Sequence, residues 1–321
     1  MKAPRRLAGA AAAALTLIGA ACFSSSGNGN GNGGSDSATT ETSTTTTTTP
    51  PGPIADQTPP KSSFGLAFRD NTLWIADFLG GQIVAINPDT GTIVKRLVAS
   101  DGVSGEIDDL TLDKEGTVYW TGFNDGAIGR MSPNGAYFIF ANVQPGANGI
   151  AFSPDGKTLY FGRAVIGSGL WQFDLASGTS EQIDFKEDVG NVNSFAVGKD
   201  GMIYGPRYGI GGKGELVKID PQAKKLTVVT AGFDGPTAVK LSGDGTSAYV
   251  LSMPPGGKPA LASVNLATKV TQPLPSPLTP LVDNLAVAPD GRIFVSSYNE
   301  PKLTVINTDG TTQIRDIGNK Q

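Results

Sequence analysis

The 321-residue chain contains no histidine. That absence removes Ser-His-Asp and Cys-His catalysis, histidine zinc sites and imidazole proton shuttles together. Cysteine occurs once, at Cys22, so neither an intramolecular disulfide nor a CxxC pair can form. Charge is sparse as well. Charged residues make up 17% of the chain, the formal net charge is -4, and no Lys/Arg cluster follows the N-terminus. Without a basic stripe there is no footprint for a phosphate backbone, and no nucleic-acid partner is expected. Any chemistry must run on carboxylates, amides, hydroxyls, Lys or Arg, or on a bound hard cation.

Residues 1–22, MKAPRRLAGAAAAALTLIGAAC, set Lys2, Arg5 and Arg6 ahead of an apolar stretch that ends in small residues. This is the layout of a secretory signal peptide. The ending IGAAC resembles a bacterial lipoprotein signal, although Gly19 stands where that pattern prefers Leu, Val or Ile. The resemblance implies lipidation of Cys22, and hence an exported protein held on the outer face of a bacterial membrane by its lipid alone. Residues 23–63 are dominated by Ser, Thr, Gly, Asn and Pro, including the run Thr44 to Thr49. Such a segment cannot bury enough apolar surface to offset its ordering entropy, so a disordered linker is expected there.

Residues 64–321 repeat. Six segments align: "FGLAFRDNTLWIAD" from Phe64, "DDLTLDKEGTVYWTG" from Asp108, "NGIAFSPDGKTLYFGR" from Asn148, "NSFAVGKDGMIYGPR" from Asn193, "TAVKLSGDGTSAYVLS" from Thr237 and "DNLAVAPDGRIFVSS" from Asp283. Each is an apolar run, a turn of the Asp-Gly kind and a β-branched or aromatic run, which reads as a hairpin. A second hairpin follows each one, as in "GQIVAINPDTGTIVKRLV". Four strands repeated six times specify an all-β fold, a six-bladed β-propeller of four-stranded antiparallel blades. Two β-sandwiches would not produce this periodicity. Each blade looks locally complete, and the Pro-rich residues before Lys61 are poor strand material, so no exchanged strand is expected to seal the ring.

The repeats, with "NGIAFSPDGKTLYF" the nearest, resemble propellers of the SMP-30/gluconolactonase and strictosidine synthase kind, with NHL-repeat propellers close by. The resemblance implies a site at one mouth of the central channel and, for its enzymes, a metal-dependent lactonase or esterase-type hydrolase. Such folds host many functions, so it points to the fold more firmly than to an activity.

The inner strands of the repeats begin at Phe64, Asp108, Asn148, Asn193, Thr237 and Asp283, which should ring that mouth. Asp108, Asn148, Asn193 and Asp283 are candidate metal ligands, because calcium or another hard divalent cation takes carboxylate and amide oxygens. The second strands end near Arg163, Arg207, Tyr208 and Tyr298, candidates for holding a ligand, the arginines by clamping an anion. The same residue types also suit turns entering strands and salt bridges between loops, so both readings stand. The resemblance implies a metal-binding glutamate where this chain has Phe64, so no catalytic residue is assigned. Three functions remain open: a tethered propeller binding a small molecule or an envelope protein at its mouth, a metal-dependent hydrolase, and a structural or adhesive surface module. A monomer is expected. The loop "SMPPGGKPA" from Ser252 is a candidate cover for the mouth.

Overall fold

The computed structural model describes residues 51–103, 105–208, 213–275 and 277–318; the signal segment, Cys22 and the linker up to residue 50 lie outside them. The six repeats fold as six antiparallel sheets, each ordered along the chain from an inner to an outer strand. The inner strands are Leu66–Arg69, Ile107–Leu112, Ala147–Phe152, a broken pair Asn191–Val192 and Ala196–Val197, Pro236–Leu241 and Val282–Val287. The second strands are the most apolar: Thr72–Asp77, TLWIAD, is buried along its whole length. This fits a strand sandwiched between two neighbouring blades, which needs apolar residues on both faces.

The core divides into six clusters, each shared by two adjacent blades. One joins Trp74 and Ile83 of blade 1 to Leu110 and Trp120 of blade 2, and another joins Tyr119 and Ile128 of blade 2 to Ile150 and Phe161 of blade 3. The ring closes through a third, in which Leu66, Ile75 and Ile86 of blade 1 pack on Phe294, Leu303 and Ile317 around blade 6.

Among the described residues no strand is exchanged across this closure; the residues before Lys61 close it in another way. Part of the expected linker, residues 51–63, lies against blade 1 as a strap. Ile54 N–H donates to the Ile93 carbonyl at 3.0 Å, and the Gln57 amide both donates to that carbonyl and accepts from Ile93 N–H. The Asp77 carboxylate, fully buried, then accepts from Lys61 N–H, Ser62 N–H, the Ser62 hydroxyl, Gly80 N–H and the Gln82 amide, all within 3.0 Å. Ser63, one residue on, bonds blade 6: its N–H donates to the Ser297 carbonyl and its hydroxyl accepts from Ser297 N–H at 2.8 Å. From the other end Gly318 N–H donates to the Gly91 carbonyl of blade 1. Side-chain and backbone clasps thus do the work that proline-rich sequence could not do as a strand.

Candidate functional site

At the channel mouth the inner strands leave regular pairing. In blade 2, Ile107 pairs with Gly122 and Leu110 with Trp120, so Asp108 and Asp109 together oppose one residue. Asn148 and Gly149 form the same bulge in blade 3, and Asp283 and Asn284 form it in blade 6. The register also shifts at Thr237, and the inner strand of blade 4 breaks across Asn193 to Phe195. A bulge adds a residue and re-aims its side chain, and such bulges concentrate beside functional sites. The extra N–H groups are satisfied by hydroxyls of the second strands: Asp109 N–H donates to Thr121 Oγ1 at 3.0 Å and Asn284 N–H to Ser296 Oγ at 2.9 Å.

The bulges bring Asp108 and Asp283 into one electrostatic neighbourhood. Burial, reinforced by the charges of Asp283 and Asp109, pushes the Asp108 carboxyl well above the usual carboxylate range. Burial and the charge of Asp109 push Asp283 up to about 7, with the Lys240 ammonium opposing them. Neither carboxylate has a hydrogen-bond donor among the described residues, and Asn148 Oδ1 is buried with no partner. A buried oxygen without a donor is costly, and Asn148 Oδ1 is one; carboxylate and amide oxygens are the kind a hard cation takes. Among the described residues no three carboxylates or thiols gather as a ready-made cluster, so the donors consist of two carboxylates and an amide. Phe64 occupies the place of the expected glutamate and stacks on Phe78 at 4.5 Å, with Tyr298 at 6.1 Å. An aromatic wall therefore stands between blades 6 and 2.

One residue deeper lies a polar plug that the sequence reading missed. The Ser194 hydroxyl is 2.9 Å from Asp109 Oδ2 and 3.0 Å from Asn284 Oδ1, and it accepts from Lys240 Nζ at 3.0 Å. Asp109 and Asn284 each also accept the N–H of the residue that follows them. Blades 1 and 3 place Gly65 and Gly149 at this level. A Cβ on Gly65 would lie 2.5 Å from Asp109 Cα, and one on Gly149 would lie 2.7 Å from the Asn193 carbonyl oxygen, so only glycine allows these approaches. The doubled polar pairs Asp108-Asp109 and Asp283-Asn284, each before a leucine, were the available signal for the bulges.

The remaining candidates separate. Asn193 and Tyr208 line a cavity of about 380 Å³ at the mouth with Val165, Asn191, Pro236 and Thr237. Val165 on its rim is exposed and has φ +67°, a strained value for a β-branched residue. The arginines are occupied elsewhere: Arg163 donates twice to the Pro145 carbonyl and once to that of Ile166, and Arg207 pairs with Glu215 at 2.7 Å. Arg163 thus braces two loops, whereas Arg207 is held by the residue opposite it on the next strand of its own blade. In the loop after Ser252, Pro254 to Lys258 line a cavity of about 680 Å³ with Ala231 to Asp234 of the outer strand of blade 4, and none of the six ring residues belongs to it.

Propellers are common, so the fold alone does not choose among relatives. Residues 139–254 match the SMP-30/Gluconolactonase/LRE-like region. The matched segment holds Asn148, Asn193 and Tyr208 of the mouth but not Phe64, Asp108 or Asp283. No curated protein matches the chain. Among solved structures it is similar to a streptogramin B lyase, at 17% identity and a TM-score of 0.59 over 82% of this chain and 85% of that one. A catalytically inactive His-to-Ala variant of virginiamycin B lyase from Staphylococcus aureus, with quinupristin, is similar at 14% identity and 0.59 over 83% and 87%. A nidogen/laminin complex matches at 12% identity and 0.63 over 76% and 93%. Identities this low establish a shared fold. The chain, similar to that family region over residues 139–254, contains no histidine.

Proposed function

We propose that the bulged mouth binds a small ligand beside a hard divalent cation, calcium in the first instance, held by Asp108, Asn148 and Asp283. The observation that carries this reading is the buried Asn148 Oδ1, left without a donor on a bulge equivalent to those that carry Asp108 and Asp283. When bound, the cation would supply positive charge to a ligand oxygen. Asn193, Tyr208 and Thr237 would orient the rest of the ligand in the adjacent cavity, which has no charged lining residue and so suits an uncharged polar molecule. Phe64, Phe78 and Tyr298 would wall the other side from water.

A second reading, hydrolysis of a lactone or ester, is favoured by the Asp283 carboxyl near 7, where a general base works best. The two roles compete at Asp283, because a cation ligand must be ionised and cannot also take up the proton. A panel of lactones and esters, assayed with calcium and with EDTA, tests both: saturable binding without turnover supports the binder, and turnover lost in Asp283→Asn supports the hydrolase. We further propose export and tethering through lipidated Cys22. Cys22→Ser should then move the protein from the membrane to the soluble fraction, and an unchanged membrane association would refute the tether.

A further inference from the structure

Beyond the plug the central channel opens again towards the opposite face. The inner strands run the same way from the mouth, as the parallel bridge between Ser194 and Ala238 fixes for blades 4 and 5, so the residues that follow the plug lie on its far side. There the six blades enclose a cavity of about 400 Å³ that shares no residue with the one beside the mouth. Lys240 is the one charged residue in its lining, and Thr111 the one other polar side chain. Position by position, the repeats set Ala67, Thr111, Ala151, Ala196 and Ala286 level with Lys240, so a single lysine stands where the other blades leave room. One residue further out every blade contributes a half-buried Phe, Leu or Val, from Phe68 to Val287.

The lysine has a donor to spare. Its Nζ donates to Ser194 Oγ at 3.0 Å and to the Phe195 carbonyl at 3.3 Å, and an ammonium carries a third N–H. Ser194 Oγ stands between it and Asp109 Oδ2, and among the described residues no carboxylate pairs with it directly. An apolar cavity with one convergent cationic donor recognises an apolar body that carries one negative charge: burial of the body supplies affinity, and the charge-assisted bond sets the orientation. Up to three residues of each inner strand line the cavity, about 7–10 Å of depth, which suits a short chain. We infer that the far half of the channel binds a small amphipathic monocarboxylate, its head on Lys240 and its alkyl tail among the half-buried apolar residues towards the opposite face. This site is separate from the channel mouth and needs no cation.

Hexanoate, titrated to about 20 mM in EDTA against the full chain labelled at its alanine methyl groups, tests it by NMR. The methyls of Ala67, Ala151, Ala196 and Ala286 should shift and saturate with a dissociation constant of about 1 mM or tighter, while that of Ala164 beside the mouth stays still. Acetate lacks the tail and hexanol lacks the charge, and each should bind at least about tenfold more weakly. Lys240→Met keeps the length of the side chain and removes the ammonium, and it should weaken hexanoate at least about tenfold. Ala196→Leu, which fills the channel without touching the charge, serves as the second variant and should do the same, with melting curves showing that each is folded. Absence of a saturable shift at the four methyls would overturn the inference. So would hexanol binding as tightly as hexanoate, or a folded Lys240→Met that binds hexanoate as the wild type does. Should a variant fail to fold, the wild-type comparison of hexanoate with hexanol and acetate still decides.

Discussion

Replacing Asp283 with asparagine keeps the shape of the side chain and removes its charge from the mouth. In the metal-free protein this carboxyl titrates near 7 against an ordinary 3.8, chiefly because burial penalises its ionised form. A raised folded-state value means that the native protein keeps a proton which the unfolded chain has already lost between about pH 4 and pH 7. Stability from this group is therefore full at acid pH and drains away as pH rises through that window. A displacement of that size corresponds to about 4 kcal/mol at full ionisation, from which an unsatisfied asparagine amide takes back about 1–2 kcal/mol. Asp283→Asn should thus stabilise the protein at pH 8 in EDTA by roughly 2 kcal/mol, a rise of about 4–8 °C in melting temperature for a domain of this size. At pH 4 the gain should vanish and the amide's cost of about 1–2 kcal/mol should remain. Urea and thermal melts at both pH values measure it, and a variant equally destabilised at pH 4 and pH 8 would refute the reasoning.

Asp77→Ala should cost about 3–5 kcal/mol, because it strands buried donors of Lys61, Ser62 and Gly80 at once, and it should expose residues 51–63 to limited proteolysis. Gly65→Ala should cost about 1–3 kcal/mol in a urea melt, since its methyl meets the backbone of Asp109. Val165→Gly should raise stability by about 1 kcal/mol in the same assay by relieving a left-handed β-branched residue, and an unchanged or lowered midpoint would show that no strain is stored there.

The fold was legible because its signals are local and repeated: each Asp-Gly turn and each apolar run recurs six times, so an error in one blade is corrected by the others. The ring residues Asp108, Asn148, Thr237 and Asp283 were legible for the same reason. Their surroundings were not. Whether Arg163 meets a ligand or the Pro145 carbonyl depends on loop geometry that no pattern encodes. Lys240 sits on an inner strand, and only the close approach of blades 4 and 5 shows that it reaches Ser194. The strap failed to register because composition was read as propensity. Residues 51–63 form no strand, yet Gln57, Ser62 and Ser63 find specific partners 36, 15 and 234 residues away.

A cation at the mouth is tested most directly by thermal melting of the wild type and of Asn148→Leu, with calcium raised from zero to about 5 mM at pH 7.5. A ligand present at a hundred times its dissociation constant stabilises by about 2.7 kcal/mol, so the wild type should melt several degrees higher with calcium. Asn148→Leu removes the orphaned oxygen, so it should melt no lower than the wild type in EDTA and respond at least about tenfold more weakly to calcium. A wild-type melting temperature unmoved by millimolar calcium would contradict the cation site, and the proposed function with it.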